Sequence, residues 1–126
     1  MWLCWRYEIP LDELEREAVK LLHSKTGAAM AKYVFGESDR VYDAIFYHTT
    51  GRGNMTLLGK ILYVADYMEP NRDFPEVGEL RRLAYEDLDG AVVLGAELAM
   101  EEMREKNRVV HPNTLACWRS LTGREP

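Results

Sequence analysis

Cysteine is scarce in this sequence. Cys4 and Cys117 are the two, far apart and in no CxxC pair. That points to free thiols in a reducing compartment and leaves one long-range disulfide open. Positive charge is in deficit, with 16 Lys and Arg against 21 Asp and Glu, a net charge of −5 and a pI near 5.2. Those totals argue against a general affinity for the nucleic-acid backbone, although a small anion can still find a local basic group. No apolar run reaches membrane-spanning length. The opening MWLCWRYEIP lacks the basic start and long apolar centre of a signal or transit peptide, so a cytoplasmic protein is expected. No stretch alternates with period two over more than a few residues, and no strands are predicted.

What is present is helical patterning in a chain of 126 residues, long enough for one domain with an unstapled core. Residues 1–10 carry Trp2, Leu3, Trp5 and Tyr7. Such a segment reads as an aggregation-prone or docking surface, including one for a second copy of the chain, as the tail of a helix whose beginning is missing, or as a terminus folded back on the core. A short helix is predicted from Pro10 to Lys20. LLHSKTGAAMAKYVFG forms the next and stops at Gly36, with His23, Gly27, Met30 and Val34 on one face. Ser38 or Asp39 caps a helix that runs to His48. Thr56 caps another to about Met68, with Leu58, Ile61, Leu62 and Ala65 as its apolar stripe and Asp66 on that side. It ends where Glu69 precedes Pro70. Residues 76–85 form a short helix. Asp87 to Lys106 forms the longest, with Leu88, Val92, Gly95, Ala99 and Met103 inward. The last runs from His111-Pro112 to Leu121 and stops at Gly123. The expected architecture is all-α, a bundle of about seven helices in a single domain spanning 1–126.

Three titratable groups fall on predicted apolar faces: His23, His48 and Asp66. A lone histidine there reads first as a hydrogen-bonded core imidazole. A lone carboxylate demands a cation, a set of donors or a metal. Two imidazoles and a carboxylate on three successive core helices together read as a metal or acid–base cluster. The loop HTTGRGN offers the hydroxyls of Thr49 and Thr50, backbone amides at Gly51 and Gly53, and Arg52. Lys25 lies near His23, and Arg72 just beyond the Asp66 helix. These groups suit phosphate oxygens, whereas the plainer reading is a helix connection that uses glycine for backbone freedom. His111 reads as a helix cap, and Tyr47, Tyr63 and Tyr67 as core and rim.

LLHSKTGA, AIFYHTTGRGNMTLLGKILYVADYMEPNR and HPNT, in that order, resemble the YqeK-type members of the HD-domain phosphohydrolase superfamily over about residues 7–122. Those are bacterial symmetrical bis(5′-nucleosyl)-tetraphosphatases, which split diadenosine tetraphosphate into two ADP. The resemblance implies an HD-type helical bundle and a divalent metal, iron in the family, where it is a pair. His23, His48 and Asp66 match family ligands. Thr49, Thr50, Gly51 and Arg72 match groups near the nucleotide phosphates. The implied partners are a dinucleoside polyphosphate or nucleoside diphosphate, and the implied reaction is metal-assisted hydrolysis. The sequence departs from the family pattern in lacking the early His-Asp pair and the histidine before it. An N-terminally truncated, partial HD domain is therefore expected, holding at most one metal ion weakly, with no residue assigned as a catalytic acid or base. The alternative is a non-catalytic nucleotide-binding or protein-interaction remnant of that domain.

Overall fold

The computed structural model describes residues 22–125, and six helices fill them. These are α1 (Leu22–Tyr33), α2 (Asp39–Phe46), α3 (Leu57–Met68), α4 (Val77–Glu86), α5 (Leu88–Glu105) and α6 (Pro112–Thr122). No strand occurs among the described residues. The helix predicted over Pro10–Lys20, the apolar segment 1–10 and Cys4 lie outside them. The remaining six predicted helices are all present.

Local chemistry sets the helix ends. The Ser38 hydroxyl accepts from the Val41 amide, and the Thr56 hydroxyl accepts from the Gly59 amide at 3.0 Å. Each satisfies an amide that has no partner within its own helix. His111 caps α6 as expected, its Nδ1 accepting from the Asn113 amide at 3.0 Å, with Pro112 in the first turn. Gly123 closes α6 in the left-handed region, with φ +66. α1 ends three residues earlier than predicted, at Tyr33, and the chain then turns through Gly36.

α3 lies at the centre and packs against α2, α4 and α5, while α1 sits on α2 and α6 on α5. The main core joins Met55, Tyr63, Val64, Leu80, Ala91, Val92 and Cys117. Burying Val64, Leu80 or Val92 contributes about 1.5–3 kcal/mol each. A second cluster joins Ala96, Met100 and Trp118, whose indole N–H donates to Glu97 at 3.0 Å. Cys117 carries a free, buried thiol.

The inward face of α3 is not the predicted stripe. Gly59, Tyr63 and Val64 are buried, whereas Leu58, Ile61 and Ala65 are exposed. The helix is apolar nearly all round, so periodicity alone does not select a face. Shape does: the Tyr63 ring lies against Gly95 of α5 on one edge and Gly51 on the other, where a Cβ would come within 3.1 Å and 3.5 Å of it. α1 is likewise rotated. Lys25, Ala28, Ala29 and Ala31 face inward, and Met30 and Val34 face out. Its small residues allow close approach to α2, with the Gly27 backbone against Ile45. On α5, Val92 and Gly95 are buried as expected, joined by Ala91, Ala96 and Met100.

Candidate functional site

Two imidazoles meet where α1 faces the C-terminal end of α2. The last carbonyls of a helix lack intrahelical partners, and that of Ile45 takes two donors from one residue. The His48 backbone N–H reaches it at 3.3 Å and the ring Nδ1 at 2.6 Å. A carbonyl only accepts, so Nδ1 carries a proton, and whenever the ring is neutral its lone pair is on Nε2. That nitrogen lies 3.2 Å from Nε2 of His23, with the rings edge to face at 73°. Thr49 Oγ1 lies 3.2 Å from the same His23 nitrogen. Thus His23 and His48 are brought together at an exposed position rather than within the core.

The pair fits a cation. One ion can take both nitrogens at this separation, since imidazole ligands stand about 2.0–2.1 Å from a zinc-sized ion. The Ile45 carbonyl supplies the outer hydrogen bond that orients a ligating ring. No third ligand joins them: among the described residues, no three His, Cys, Asp or Glu side chains are grouped to hold a metal ion.

Asp66 is not grouped with them. It is about half-exposed, a correction to its expected position on the apolar side of α3, and the cause is the rotation that puts Tyr63 and Val64 inside. Its partner is Arg72, whose Nη2 donates to Asp66 Oδ2 at 3.3 Å and whose Nε donates to the Asp66 carbonyl at 3.0 Å. Exposed pairs of this kind contribute at most about 1 kcal/mol, so the Arg72 head is held but displaceable. The sequence reading missed Arg81 of α4, whose guanidinium donates to the carbonyls of Met68, Glu69 and Arg72. No local sequence signal marks it, because its acceptors belong to the end of α3.

The loop after His48 is tied down. Thr50 donates its hydroxyl to the Gly51 carbonyl at 2.9 Å, and its own carbonyl accepts from Thr114 at 2.8 Å. The Gly51 amide, expected to be available to an anion, donates to the Tyr47 carbonyl at 2.8 Å, and Gly51 is buried. With φ +73 and a Cβ position 3.0 Å from Cys117 Sγ, that residue shapes the loop. Arg52 turns to Asp43 at 3.4 Å and lies over the Tyr47 ring. Lys25 is buried, its ammonium 5.0 Å from the Phe46 ring centroid. Under the loop, burial pushes the Cys117 thiol up to about 11 and the Tyr63 hydroxyl well above its ordinary value.

The chain is similar to known proteins along most of its length. It is 44% identical over 117 residues to "Bis(5'-nucleosyl)-tetraphosphatase, symmetrical" of Bacillus subtilis, a match covering 92% of this chain and 62% of that protein. With the protein of the same name from Halalkalibacterium halodurans, identity is 43% over 103 residues, covering 81% of this chain and 55% of that one. The chain thus spans about three-fifths of the length of these curated relatives. Its fold superposes with a TM-score of 0.90 on a crystal structure from Clostridium acetobutylicum, described as that of a predicted HD superfamily hydrolase involved in NAD metabolism. Identity there is 38%, over 98% of this chain and 66% of that one. The HD domain family matches residues 6–71. Because that match takes in more than half of the sequence, with both paired histidines and Asp66 inside it, the chain belongs to the HD domain family.

Proposed function

We propose that this chain is part of a metal-dependent phosphohydrolase that cleaves dinucleoside tetraphosphates, diadenosine tetraphosphate among them, into two nucleoside diphosphates. In this reading residues 1–126 form one partial HD-type domain of a cytoplasmic enzyme. The observation that carries it is the His23–His48 pair, with the His48 lone pair directed by the Ile45 carbonyl. The names of the similar proteins support the substrate class.

Membership in the HD family implies a divalent metal, and iron suits imidazole ligands. His23 and His48 would hold it. Asp66 joins them only if its pairing with Arg72 opens. When bound, such a cation supplies Lewis-acid stabilisation of charge on phosphate oxygen. The chain's own groups do the rest. His48 keeps its proton on Nδ1, which leaves Nε2 as a ligand atom. Thr49 sets a hydroxyl beside the imidazole pair, and Arg72 offers a fork for a phosphate. Lys25, two residues along α1 from His23, adds positive charge, while Thr50 and Gly51 shape the loop.

One finding favours a second reading, nucleotide binding without hydrolysis: Asp66 is engaged by Arg72. The chain is incubated with diadenosine tetraphosphate and manganese or ferrous iron. ADP release that disappears in His48→Ala supports the hydrolase. Binding of the dinucleotide with no ADP release favours the second reading. Neither binding nor release overturns both.

A further inference from the structure

We infer that Arg81 is a positioning residue for Arg72, clamping the turn that carries it; this rests on the reading of Arg72 as a phosphate-binding group. α3 ends at Met68, and Glu69–Arg72 makes a tight turn with Pro70 second, closed by the Arg72 amide on the Glu69 carbonyl at 2.9 Å. The Asn71 amide also donates to the Glu69 carboxylate at 3.1 Å. Arg81 reaches across from α4 and spans this turn. Its Nε donates to the Met68 carbonyl at 3.2 Å, and its Nη2 donates to Glu69 at 3.0 Å and to Arg72 at 3.3 Å. The carbonyl before the turn and that of its last residue are therefore held by a single planar group.

The acceptors explain why a cation belongs there. Carbonyls at the end of a helix bear partial negative charge and lack intrahelical donors. A guanidinium satisfies several at once because its donors form a rigid fork, which an ammonium lacks. With the backbone of Arg72 pinned, its side chain folds back onto the Asp66 carbonyl and carboxylate. Without Arg81, the turn is held by its own single backbone hydrogen bond and the Glu69 side chain. The head of Arg72 then samples more positions, and a phosphate must order it on binding.

Two readouts on the full chain decide the matter. The first is solvent exchange of the Arg72 Nε–H without ligand, expected to quicken about tenfold in Arg81→Met. The second is the affinity for ADP in the presence of manganese, expected to fall about tenfold in Arg81→Met. In an Arg72→Met background, Arg81→Met should change that affinity by less than about twofold, since the effect passes through Arg72. Arg81→Lys, which keeps charge without the fork, should restore little, and it takes the place of Arg81→Met in both readouts if the methionine variant does not fold. ADP affinity unchanged in a folded Arg81→Met chain, effects that multiply in the double variant, or full rescue by lysine overturns the clamp. If the unaltered chain binds no ADP, the phosphate reading of Arg72 falls, and the exchange rate alone decides whether Arg81 positions it.

Discussion

The Nε2 atoms of His23 and His48 face each other at 3.2 Å, and His48 is anchored from behind, through Nδ1 on the Ile45 carbonyl. An anchored ring has already given up its rotational freedom, so it presents its lone pair at little further cost. His23 meets it from another helix and shares its nitrogen with Thr49.

Cation binding should accordingly need both rings. Manganese affinity, read from the free-ion signal in electron paramagnetic resonance, is expected to fall more than about tenfold in His23→Ala and in His48→Ala. Asp66→Asn should change it less, because that carboxylate is engaged by Arg72. A loss with Asp66→Asn equal to that with His48→Ala would place Asp66 among the ligands.

Gly51→Ala should destabilise the chain through two separable causes. The left-handed backbone at φ +73 disfavours any Cβ, and that atom would stand 3.0 Å from Cys117 Sγ. Together these cost about 2–4 kcal/mol, seen as a lower urea midpoint with unchanged slope. Adding Cys117→Ala should recover only the part of the steric share that Sγ causes, because the Cys117 Cβ, 3.1 Å from the added atom, remains; the backbone share stays. An unaltered midpoint in Gly51→Ala would mean that the loop relaxes.

These residues mark the boundary of what the sequence made legible. Helix ends were readable where a cap is local, as at Ser38, Thr56 and His111, because donor and acceptor lie within three residues. The facing of α3 was not, since its apolar residues surround the helix and only the fit of Tyr63 between Gly51 and Gly95 selects an orientation. The position of Asp66 follows from that rotation and was misread with it. His23 and His48 could be named as candidates by residue type, but their meeting depends on how α1 crosses α2. Arg81 was invisible for the same reason: its acceptors are backbone carbonyls of another element.

Tyr63→Phe should be neutral or stabilising. The Tyr63 hydroxyl is buried and, among the described residues, meets no partner in ordinary hydrogen-bond geometry; the Tyr67 side chain acts on it only from outside that geometry. A buried hydroxyl left unpaired is unfavourable, and its removal keeps the ring packed against Gly95. A gain of up to about 1 kcal/mol in urea unfolding is expected. A loss of that size would reveal a partner for the hydroxyl.

Alkaline pH should weaken the fold through Cys117. Burial is the main cause that lifts its thiol to about 11 from an ordinary value of 9.0, outweighing the Arg52 backbone amide and Lys60, which act the other way. Between those values the unfolded thiol has lost its proton while the folded one keeps it, so the folded state binds more protons. Stability from this group is therefore intact below about pH 9 and declines as pH rises to about 11, by a few kcal/mol at most. Tyr63 and Tyr67, also raised by burial, push the same way at higher pH. The Cys117→Ala chain isolates the thiol: its urea midpoint should fall less steeply across that window than that of the unaltered chain. The same burial predicts slow alkylation of Cys117 by iodoacetamide at pH 8 in the folded chain and fast alkylation in urea, followed on the Cys117 peptide by mass spectrometry. Equal slopes in the two chains, together with rapid labelling of the folded one, would show that solvent reaches the thiol beneath Gly51.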